Sequence, residues 1–221
     1  MPLRHRAVAI RRRTSDATTH AWCLTPHSPI RRGLSLSAVR VQDIPQLVMH
    51  LRDPGIARQT LAIPFPYTAR DARAFLDAVR RRRRRFKRPM DWAIRMPEGR
   101  LIGLISLQGT YGPWSHRDEI GYWLAKPYRG RGIMPRAVNA VVRVAFRQYG
   151  LIRLEMSIFR GNRVSARVAE KCGFRLEGVL RRMQIKDGRC IDAGLYARTR
   201  PPTPRNSEWC IWGTNRRAML I

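Results

Sequence analysis

An α/β (α+β) fold is the fold class that the 221-residue sequence predicts, with a mixed, mostly antiparallel sheet of about seven strands flanked by helices. Three observations carry this prediction. Apolar strand-like runs and helical patterns follow each other in the order strand, helices, three strands, helix, strand, helix, two strands. Hairpin signals join neighbouring runs, which predicts antiparallel pairing there. A complete helix separates the runs at 120–124 and 152–159, which predicts a parallel contact between them.

One domain is predicted over residues 33–199, with a tail on either side. Residues 1–32 are rich in Arg, Thr, Ser, His and Pro without a sustained hydrophobic period, so we expect a disordered basic tail. The segment 200–221 opens on a Pro-Pro-Thr-Pro run and also lacks a period. Its Trp209 and Trp212 leave two readings open, a frayed terminus or a segment that docks on the domain or self-associates.

The first predicted elements are a strand, a helix, a turn and a second helix. Residues 34–39 alternate weakly and predict a strand. Asp43 is a candidate helix N-cap, and the Asp-Pro-Gly run at 53–55 predicts a turn. Thr68, with an acidic residue three positions later, begins a strong helix. That helix ends in six consecutive arginines, Arg80–Arg85, whose charge favours a helix C-terminus.

The remaining elements alternate between strands and helices. Apolar runs at 92–94 and 101–107 flank a Pro-Glu-Gly turn signal and predict a hairpin. A strand at 120–124 is followed by a helix from Ile133 to about Tyr149, which ends at a glycine. Asn162 is a candidate N-cap. The later elements are predicted at 152–159 (strand), 163–172 (helix), 174–180 (strand) and 190–198 (strand).

Positive charge dominates the composition, since 44 Lys and Arg against 15 Asp and Glu give a formal net charge of +29. Such a balance is typical of a protein that meets a polyanion, such as nucleic acid or the ribosome. The arginines are scattered along the whole chain, so a compositional bias without function explains the charge equally well. The run Arg80–Arg85 carries the same two alternatives, a docking patch or a solvated helix face.

Several site classes are disfavoured by motifs that the chain lacks. The four cysteines show no C-x-x-C spacing, so neither a zinc site nor a disulfide framework is predicted, and a reduced, cytoplasmic protein is expected. No apolar stretch reaches the length of a membrane span, so no membrane partner is expected. Neither a Gly-Lys-Ser/Thr phosphate loop, a dinucleotide-binding glycine motif nor a metal-binding cluster is apparent. Hydride transfer, phosphoryl transfer and metal-dependent hydrolysis are therefore disfavoured.

The stretch 119–134 carries the strongest local signal. Its strand runs into Pro127, which cannot continue a hydrogen-bond ladder. Gly130 and Gly132 then permit backbone conformations that a side chain would block, and a helical pattern begins directly after them. The free N–H groups of a helix start, flanked by Arg129 and Arg131, form an anion site. We therefore predict that this turn binds the pyrophosphate of a nucleotide-like cofactor.

Five sequence blocks together resemble the GNAT family of N-acetyltransferases, in the RimJ/RimL branch that acetylates ribosomal-protein N-termini. The blocks are EIGYWL at 119–124, YRGRGIM at 128–134, NRVSARVAEKCGF at 162–174, LEGVL at 176–180 and LYAR at 195–198. The resemblance covers about residues 34–198. It implies the acyl-CoA N-acyltransferase fold, acetyl-CoA as acetyl donor, a primary amine as acceptor and no metal.

The resemblance also implies cofactor-binding residues. The pantetheine arm is expected to pair, as a false strand, with the exposed backbone of Trp123, Leu124 and Ala125. Asn162 is expected to hydrogen-bond the same arm, beside or instead of its role as a helix cap. The pyrophosphate is expected on Arg129, Gly130, Arg131, Gly132, Ile133 and Met134. Met134 stands where the family has a small residue, but a backbone N–H does the binding there, so we expect binding to survive.

Two catalytic residues follow from the resemblance. Ser165 matches the position that donates a proton or hydrogen bond to the departing thiolate, with a surface helix serine as its alternative reading. For the general base, the RimL pattern predicts a Glu where this chain has Gln184, which cannot take a proton. Glu119 is the alternative base, or else a solvated strand-end residue. Because an N-terminal α-amine has a pKa of about 8, it is partly neutral at pH 7 and a strong base is not essential.

Two functions stay open at this point. The first is acetyl transfer from acetyl-CoA to a protein N-terminal amine or a small amine, including an antibiotic. The second is a ribosome- or nucleic-acid-binding module on a degenerate GNAT fold, which the charge of +29 and Gln184 favour. Binding of acetyl-CoA followed by acetylation of an amine distinguishes them. A monomer and a homodimer are both compatible with the sequence.

Overall fold

The computed structural model describes residues 33–201, which form one seven-stranded sheet and five α-helices. The helices are α1 (Ile44–Leu51), α2 (Pro54–Gln59), α3 (Ala69–Phe86), α4 (Ile133–Arg147) and α5 (Arg163–Lys171). The strands are β1 (Ser35–Ser37), β2 (Asp91–Arg95), β3 (Leu101–Leu107), β4 (Arg117–Leu124), β5 (Arg153–Phe159), β6 (Arg175–Lys186) and β7 (Arg189–Thr199). Short 3-10 turns lie at Val41–Asp43 and Lys126–Tyr128. The predicted tail 1–32 and nearly all of the predicted tail 200–221 lie outside the described residues.

The strand order is β1-β2-β3-β4-β5-β7-β6, and every neighbouring pair is antiparallel except β4 and β5. This confirms the predicted mixed, mostly antiparallel sheet. The parallel contact needs a crossover, and α4 supplies it between β4 and β5. Among the residues that the structure describes, no helix is long and apolar enough to cross a bilayer.

The parallel strands β4 and β5 pair over one short segment and then diverge. Their register runs from Arg117 opposite Arg153 to Glu119 opposite Glu155. Beyond these pairs, β4 continues to Leu124 and β5 to Phe159 without pairing to each other. The sheet therefore opens into a wedge, which we define as the gap between residues 120–124 and 156–159.

Two hydrophobic clusters pack on opposite faces of the sheet. The first includes α4, with buried Val138 and Val141, and the second includes α1, with buried Leu47, and α3. Neighbouring side chains of a strand point to opposite faces. On β4, Trp123 accordingly belongs to the second cluster, and Tyr122 packs against the first. Both walls of the wedge are thus fixed by packed core.

Two predicted helix starts are confirmed by their hydrogen bonds. At α3, Asp71 N donates to Thr68 Oγ1 at 3.4 Å, and Thr68 N donates back to Asp71 Oδ2 at 2.8 Å. At α5, Ser165 N donates to Asn162 Oδ1 at 3.1 Å. Each bond satisfies a backbone donor that the helix itself leaves free.

Asp43 stands at the predicted N-cap position of α1, but its side chain does not cap that helix, contrary to the prediction. Its carboxylate instead accepts two bonds from Arg95, at 2.7 and 2.8 Å, and both residues are buried. Arg95 also donates to Ser37 Oγ at 2.6 Å. A buried guanidinium needs a counter-charge, and this need outweighs the modest benefit of a cap. The pair ties the start of α1 to β1 and β2.

Two further predictions differ from the structure. The Asp-Pro-Gly run at 53–55 opens α2 rather than a turn, because Asp53 Oδ1 caps it by accepting from Gly55 N at 2.8 Å and proline suits a first helical position. β6 extends to Lys186, well beyond the predicted 174–180. Register shifts interrupt its pairing with β7 between Leu180 and Gln184, so no even alternation marks this stretch in the sequence.

Candidate active site

The β4 side of the wedge presents alternate backbone groups that no neighbouring strand uses. Ala125 N donates to Ile102 O at 2.9 Å, so Ala125 and, two residues earlier, Trp123 bond to β3. In an antiparallel ladder the residues between them point their N–H and C=O groups the other way. Tyr122 and Leu124 therefore face the wedge. Within the predicted strip 123–125, only Leu124 has the backbone orientation that pairing with a pantetheine arm requires.

The glycine-rich turn leads from the wedge to the start of α4. Gly130 and Gly132 adopt left-handed backbone conformations, with φ of 77° and 70°. No side chain caps α4, whose first residues are Ile133 and Met134. The N–H groups of this first turn consequently stay free, and together with the positive end of the helix dipole they suit an anion such as a pyrophosphate.

Arg129 braces this turn. Its Nε donates to Leu124 O at 2.9 Å, and its guanidinium forms an ion pair with Asp53 Oδ2 at 3.1 Å. Asp53 also caps α2, so Arg129 connects the end of β4 with the start of that helix. Arg129 and Arg131 are both exposed beside the turn. The sequence predicted both arginines as anion ligands, and the structure gives Arg129 these other partners.

A cavity of about 670 Å³ lies beside the wedge. Four of the predicted site residues line it, namely Glu119, Trp123, Asn162 and Ser165. Its other walls come from α1, the segment 59–64, α3, the end of β3 with the residues that follow it, and β5. Leu124, Ala125 and the turn 129–134 do not line it. The predicted residues thus divide into a set beside the cavity and a set along the turn.

Glu119 lies at the floor of the cavity, where β4 and β5 begin to diverge. Its Oε1 accepts a hydrogen bond from Ser157 N at 3.3 Å. Burial raises the pKa of Glu119, and the bond from Ser157 only partly opposes this shift. A desolvated carboxylate holds a proton more strongly than one in water, which is the property that a general base requires. Glu119 is partly buried and is the third residue of β4, so it stays a candidate base.

Ser165 is held in place through both of its backbone polar groups. Its N–H bonds to Asn162 Oδ1, and its carbonyl accepts from Tyr122 Oη at 3.3 Å. Burial raises the pKa of Tyr122 to about 12, so this phenol stays protonated and keeps donating. Tyr122 was not predicted from the sequence as a site residue. Its strand position was known, but the side that it faces depends on the register with β3.

Gln184 reaches the same region from β6. Its Nε2 donates to Ser157 Oγ at 3.2 Å, and the backbone N–H of Ser157 donates in turn to Glu119. Residue 184, where the resemblance predicts a glutamate, is therefore connected through Ser157 to Glu119. An amide at 184 provides a neutral neighbour to Glu119.

The acidic and basic side chains that line the cavity are Asp71, Arg82 and Glu119. Arg82 is bound to the buried Asp91 by bonds of 3.1 and 2.5 Å, which balances its charge. When Asp71 and Glu119 are ionised, the cavity is therefore acidic, although the chain as a whole carries +29. An ammonium group is favoured inside it. Within residues 33–201, no group of three or more His, Cys, Asp or Glu side chains is arranged to hold a metal ion.

Comparison with known proteins gives a family match and a match of fold. The model of the acetyltransferase (GNAT) domain matches residues 34–175. RimL, a ribosomal alpha-N-protein acetyltransferase solved in complex with coenzyme A, superposes with a TM-score of 0.69 at 21% identity, over 77% of this chain and 96% of that one. At this identity the superposition supports the fold alone.

Two curated bacterial proteins share sequence with this chain. One is named "Probable N-acetyltransferase YjcK" of Bacillus subtilis, 41% identical over 85 residues, which are 38% of this chain and 47% of YjcK. The other is the ribosomal-protein-serine acetyltransferase of Escherichia coli, 35% identical over 101 residues, which are 46% of this chain and 56% of that protein. The chain thus spans about half the length of these curated relatives.

Proposed function

The chain belongs to the GNAT acetyltransferase family, and we propose that it transfers the acetyl group of acetyl-CoA to a primary amine. The observation that carries the proposal is the continuity of three features: the unpaired edge of β4, the uncapped start of α4 and the cavity that contains Glu119 and Ser165. Acetyl-CoA supplies an activated acetyl group as a thioester. The chain supplies a docking edge, an anion site and two candidate proton-transfer groups.

Each part of the cofactor has a proposed set of partners. The backbone of Tyr122 and the N–H of Leu124 face the wedge and suit the amide groups of pantetheine, with Asn162 beside them, while Leu124 O already accepts from Arg129. The N–H groups from Gly130 to Met134 suit the pyrophosphate, and Arg131 adds positive charge. Arg129 acts mainly by holding the turn in place, through Leu124 O and Asp53. Trp123 and Ala125 support the site through packing and through their bonds to β3.

Starting from an ammonium, the transfer needs two protons to leave the acceptor nitrogen, one before the attack and one as the amide forms, and it needs one proton to reach the sulfur. Glu119 accepts the proton of the acceptor ammonium, so that the neutral nitrogen attacks the acetyl carbonyl carbon. As the new C–N bond forms, the C–S bond breaks and leaves a thiolate. The Ser165 hydroxyl donates a hydrogen bond or a proton to that sulfur. Tyr122 and Asn162 hold Ser165 from either side and act as positioning residues.

The lining of the cavity also indicates which kind of amine acceptor it suits. Its acidic floor favours one ammonium group, and apolar side chains such as Leu47, Phe75 and Ile158 suit a neutral body attached to that group. The Escherichia coli relative is by its name a ribosomal-protein-serine acetyltransferase, which agrees with an N-terminal amine. We therefore propose a protein N-terminus or a small apolar amine as acceptor. A polycationic antibiotic fits this lining less well.

The proposed reaction also indicates a cellular location, possible polyanionic partners and the oligomeric states that suit it. We propose a cytoplasmic protein, because ribosomal proteins and acetyl-CoA meet there. The net charge of +29 predicts salt-sensitive association with nucleic acid or ribosomes. Either a monomer or a homodimer suits the proposed reaction, since every proposed group lies in one chain.

A binding module without catalysis is the second candidate function. Gln184 favours it, because the position that carries a carboxylate in the RimL pattern here holds an amide. The partly buried Glu119, which lines the same cavity as Ser165, favours the enzyme. We therefore rank acetyl transfer first.

Two linked measurements test the proposed function. Acetyl-CoA should stabilise the protein against heat, by about 2.7 kcal/mol at a ligand concentration 100 times its Kd. Free-thiol detection with a panel of peptides, small amines and aminoglycosides should then find an acetylated acceptor. Ser165→Ala should lower the rate about tenfold or more and leave acetyl-CoA stabilisation intact. No stabilisation at millimolar acetyl-CoA contradicts the enzyme, and stabilisation without any acetylated acceptor favours the binding module.

A further inference from the structure

Gln108 directly follows β3, and its side chain lies next to that of Glu119 in the candidate active site. Its backbone N–H donates to Glu119 O at 2.9 Å, which continues the antiparallel pairing of β3 with β4 by one residue. Residues that lie opposite each other in such a pair carry their side chains on the same face, with Cβ atoms about 4.5–5.5 Å apart. Both side chains line the cavity. Gln108 is therefore the cross-strand neighbour of the proposed base.

Gly121 leaves open the space that the amide of Gln108 occupies. A Cβ at Gly121 would lie 2.0 Å from Gln108 Nε2. Glu119, Gly121 and Trp123 alternate along β4 and share the face that lines the cavity. The amide nitrogen of Gln108 therefore lies over the backbone of β4, between the side chains of Glu119 and Trp123. A side chain at 121 would displace it.

The amide of Gln108 is free to bind a ligand. Within residues 33–201, this amide has no hydrogen-bond partner. The residue is exposed, so burial in the core does not explain where its amide lies. A primary amide donates two hydrogen bonds and carries no charge. It consequently offers a donor beside Glu119 without repelling the ammonium group that the acidic cavity favours.

The spacing of this donor and Glu119 suits one class of acceptor. In a peptide, the α-amine and the carbonyl oxygen of the same residue lie about 3 Å apart, because only the Cα and carbonyl carbons separate them. Building on the proposed acetyl transfer, we infer that Gln108 selects peptide N-termini as acceptors. Its Nε2 donates to the first carbonyl oxygen of the peptide while Glu119 receives the ammonium. An alkyl amine, such as a lysine side chain, has no carbonyl at this distance and gains nothing from Gln108.

The test measures kcat/KM for two acceptors of similar size, L-alanine N-methylamide and (S)-2-aminopentane, of which only the first has a carbonyl beside the amine. Gln108→Met keeps the length of the side chain and removes its amide. The matched control is Gln59→Met, because Gln59 is also an exposed glutamine that lines the cavity. The two amines differ in pKa, about 8 against about 10.4, but this difference is the same for every protein and cancels when acceptor ratios are compared. Thermal unfolding verifies that the variants fold.

We expect the preference for the amide acceptor, given as the ratio of the two kcat/KM values, to fall about five- to tenfold in Gln108→Met, as for the loss of one hydrogen bond. Gly121→Ala should lower the ratio as well, because its Cβ displaces the amide of Gln108. Gln59→Met should keep the wild-type ratio. If Gln108→Met slows both acceptors equally, the amide contacts the acetyl group or supports the fold, and the inference is wrong. An equal fall of the ratio in Gln59→Met would also overturn it.

A binding measurement separates this inference from the proposed acetyl transfer. Calorimetric titration of the same two acceptors into the protein, with coenzyme A in excess, requires no turnover. The ratio of their affinities should fall in Gln108→Met by a factor similar to that of the rates. An unchanged affinity ratio would overturn the role of Gln108 even where acetylation occurs. The expected ratio without any acetylation would contradict the acetyl transfer and support the role of Gln108, and a wild-type protein that binds neither acceptor would overturn both.

Discussion

At the scale of single residues, the protonation of Glu119 determines how the proposed reaction depends on pH. Burial raises the pKa of this carboxyl above its usual 4.5. A general base works only when deprotonated, so kcat/KM should rise with pH along a limb centred above 4.5. Glu119→Gln should lower kcat/KM by about a hundredfold and remove this limb. A pH–rate profile of both proteins with one acceptor measures this, and an unchanged limb in the variant would rule out Glu119 as the base.

The same substitution should also change stability in a pH-dependent way. Because the folded state binds the Glu119 proton more tightly than the unfolded chain does, the stability linked to that proton is present below pH 4.5 and is lost as pH rises through the folded pKa. Glu119→Gln should therefore raise Tm at pH 7.5, by about 2–4 °C for each kcal/mol relieved, and change it little at pH 4. This stability readout separates a folded, inactive variant from a damaged one.

Gln184 offers a second prediction at the residue scale. Its amide and Glu119 both bond to Ser157, so a carboxylate at 184 would place a like charge close to Glu119. Like charges disfavour ionisation of both groups. In Gln184→Glu the acidic limb of the rate profile should therefore move to higher pH, by about half a unit or more. Gln184→Ala is the control that removes the hydrogen bond without adding charge, and an identical limb in both variants would contradict the coupling.

At the scale of elements, the turn before α4 determines whether the proposed anion site keeps its shape. Gly132 adopts φ of 70°, a conformation that costs a residue with a Cβ about 1–2 kcal/mol. A Cβ there would meet no atom within 4 Å, so backbone strain is the only cost expected from a substitution by alanine. Gly132→Ala should weaken coenzyme A binding about five- to tenfold. Calorimetric titration measures this.

A matched glycine makes that result interpretable. Gly188, in the turn between β6 and β7, has φ of 74° and equally open surroundings. Gly188→Ala should therefore lose similar stability without weakening coenzyme A binding. If both variants bind equally well, the shape of the turn before α4 has no part in binding.

Local signals in the sequence predicted the elements better than the site. The caps at Thr68 and Asn162 and the glycine before α4 act over a few residues, so the sequence shows them directly. The buried partner of Asp43 was not predictable, because Arg95 lies 52 positions later in the chain. The orientation of Tyr122 and the cavity wall at 59–64 depend on strand register and packing, and no periodicity reveals those. The domain limits 33–199 and the binding roles along the turn stay predictions.

At the scale of the whole molecule, the chain carries a large excess of positive charge and yet contains an acidic cavity. The described residues hold nine ion pairs, but the chain has 29 more cations than anions, so most cations repel one another. The buried pairs keep their partners at any salt concentration because solvent ions screen them little. Salt should therefore act mainly on the unpaired surface charge.

Added salt should consequently stabilise this protein. Raising NaCl from about 20 mM to 500 mM shortens the screening length to well below 10 Å and weakens the repulsion between exposed arginines. We expect Tm to rise by about 5 °C, which for a chain of this size corresponds to about 2 kcal/mol. Thermal unfolding in NaCl and, at equal ionic strength, in sodium sulfate separates general screening from anion binding at α4. A Tm that falls with NaCl would show that exposed ion pairs, rather than repulsion, dominate the surface electrostatics.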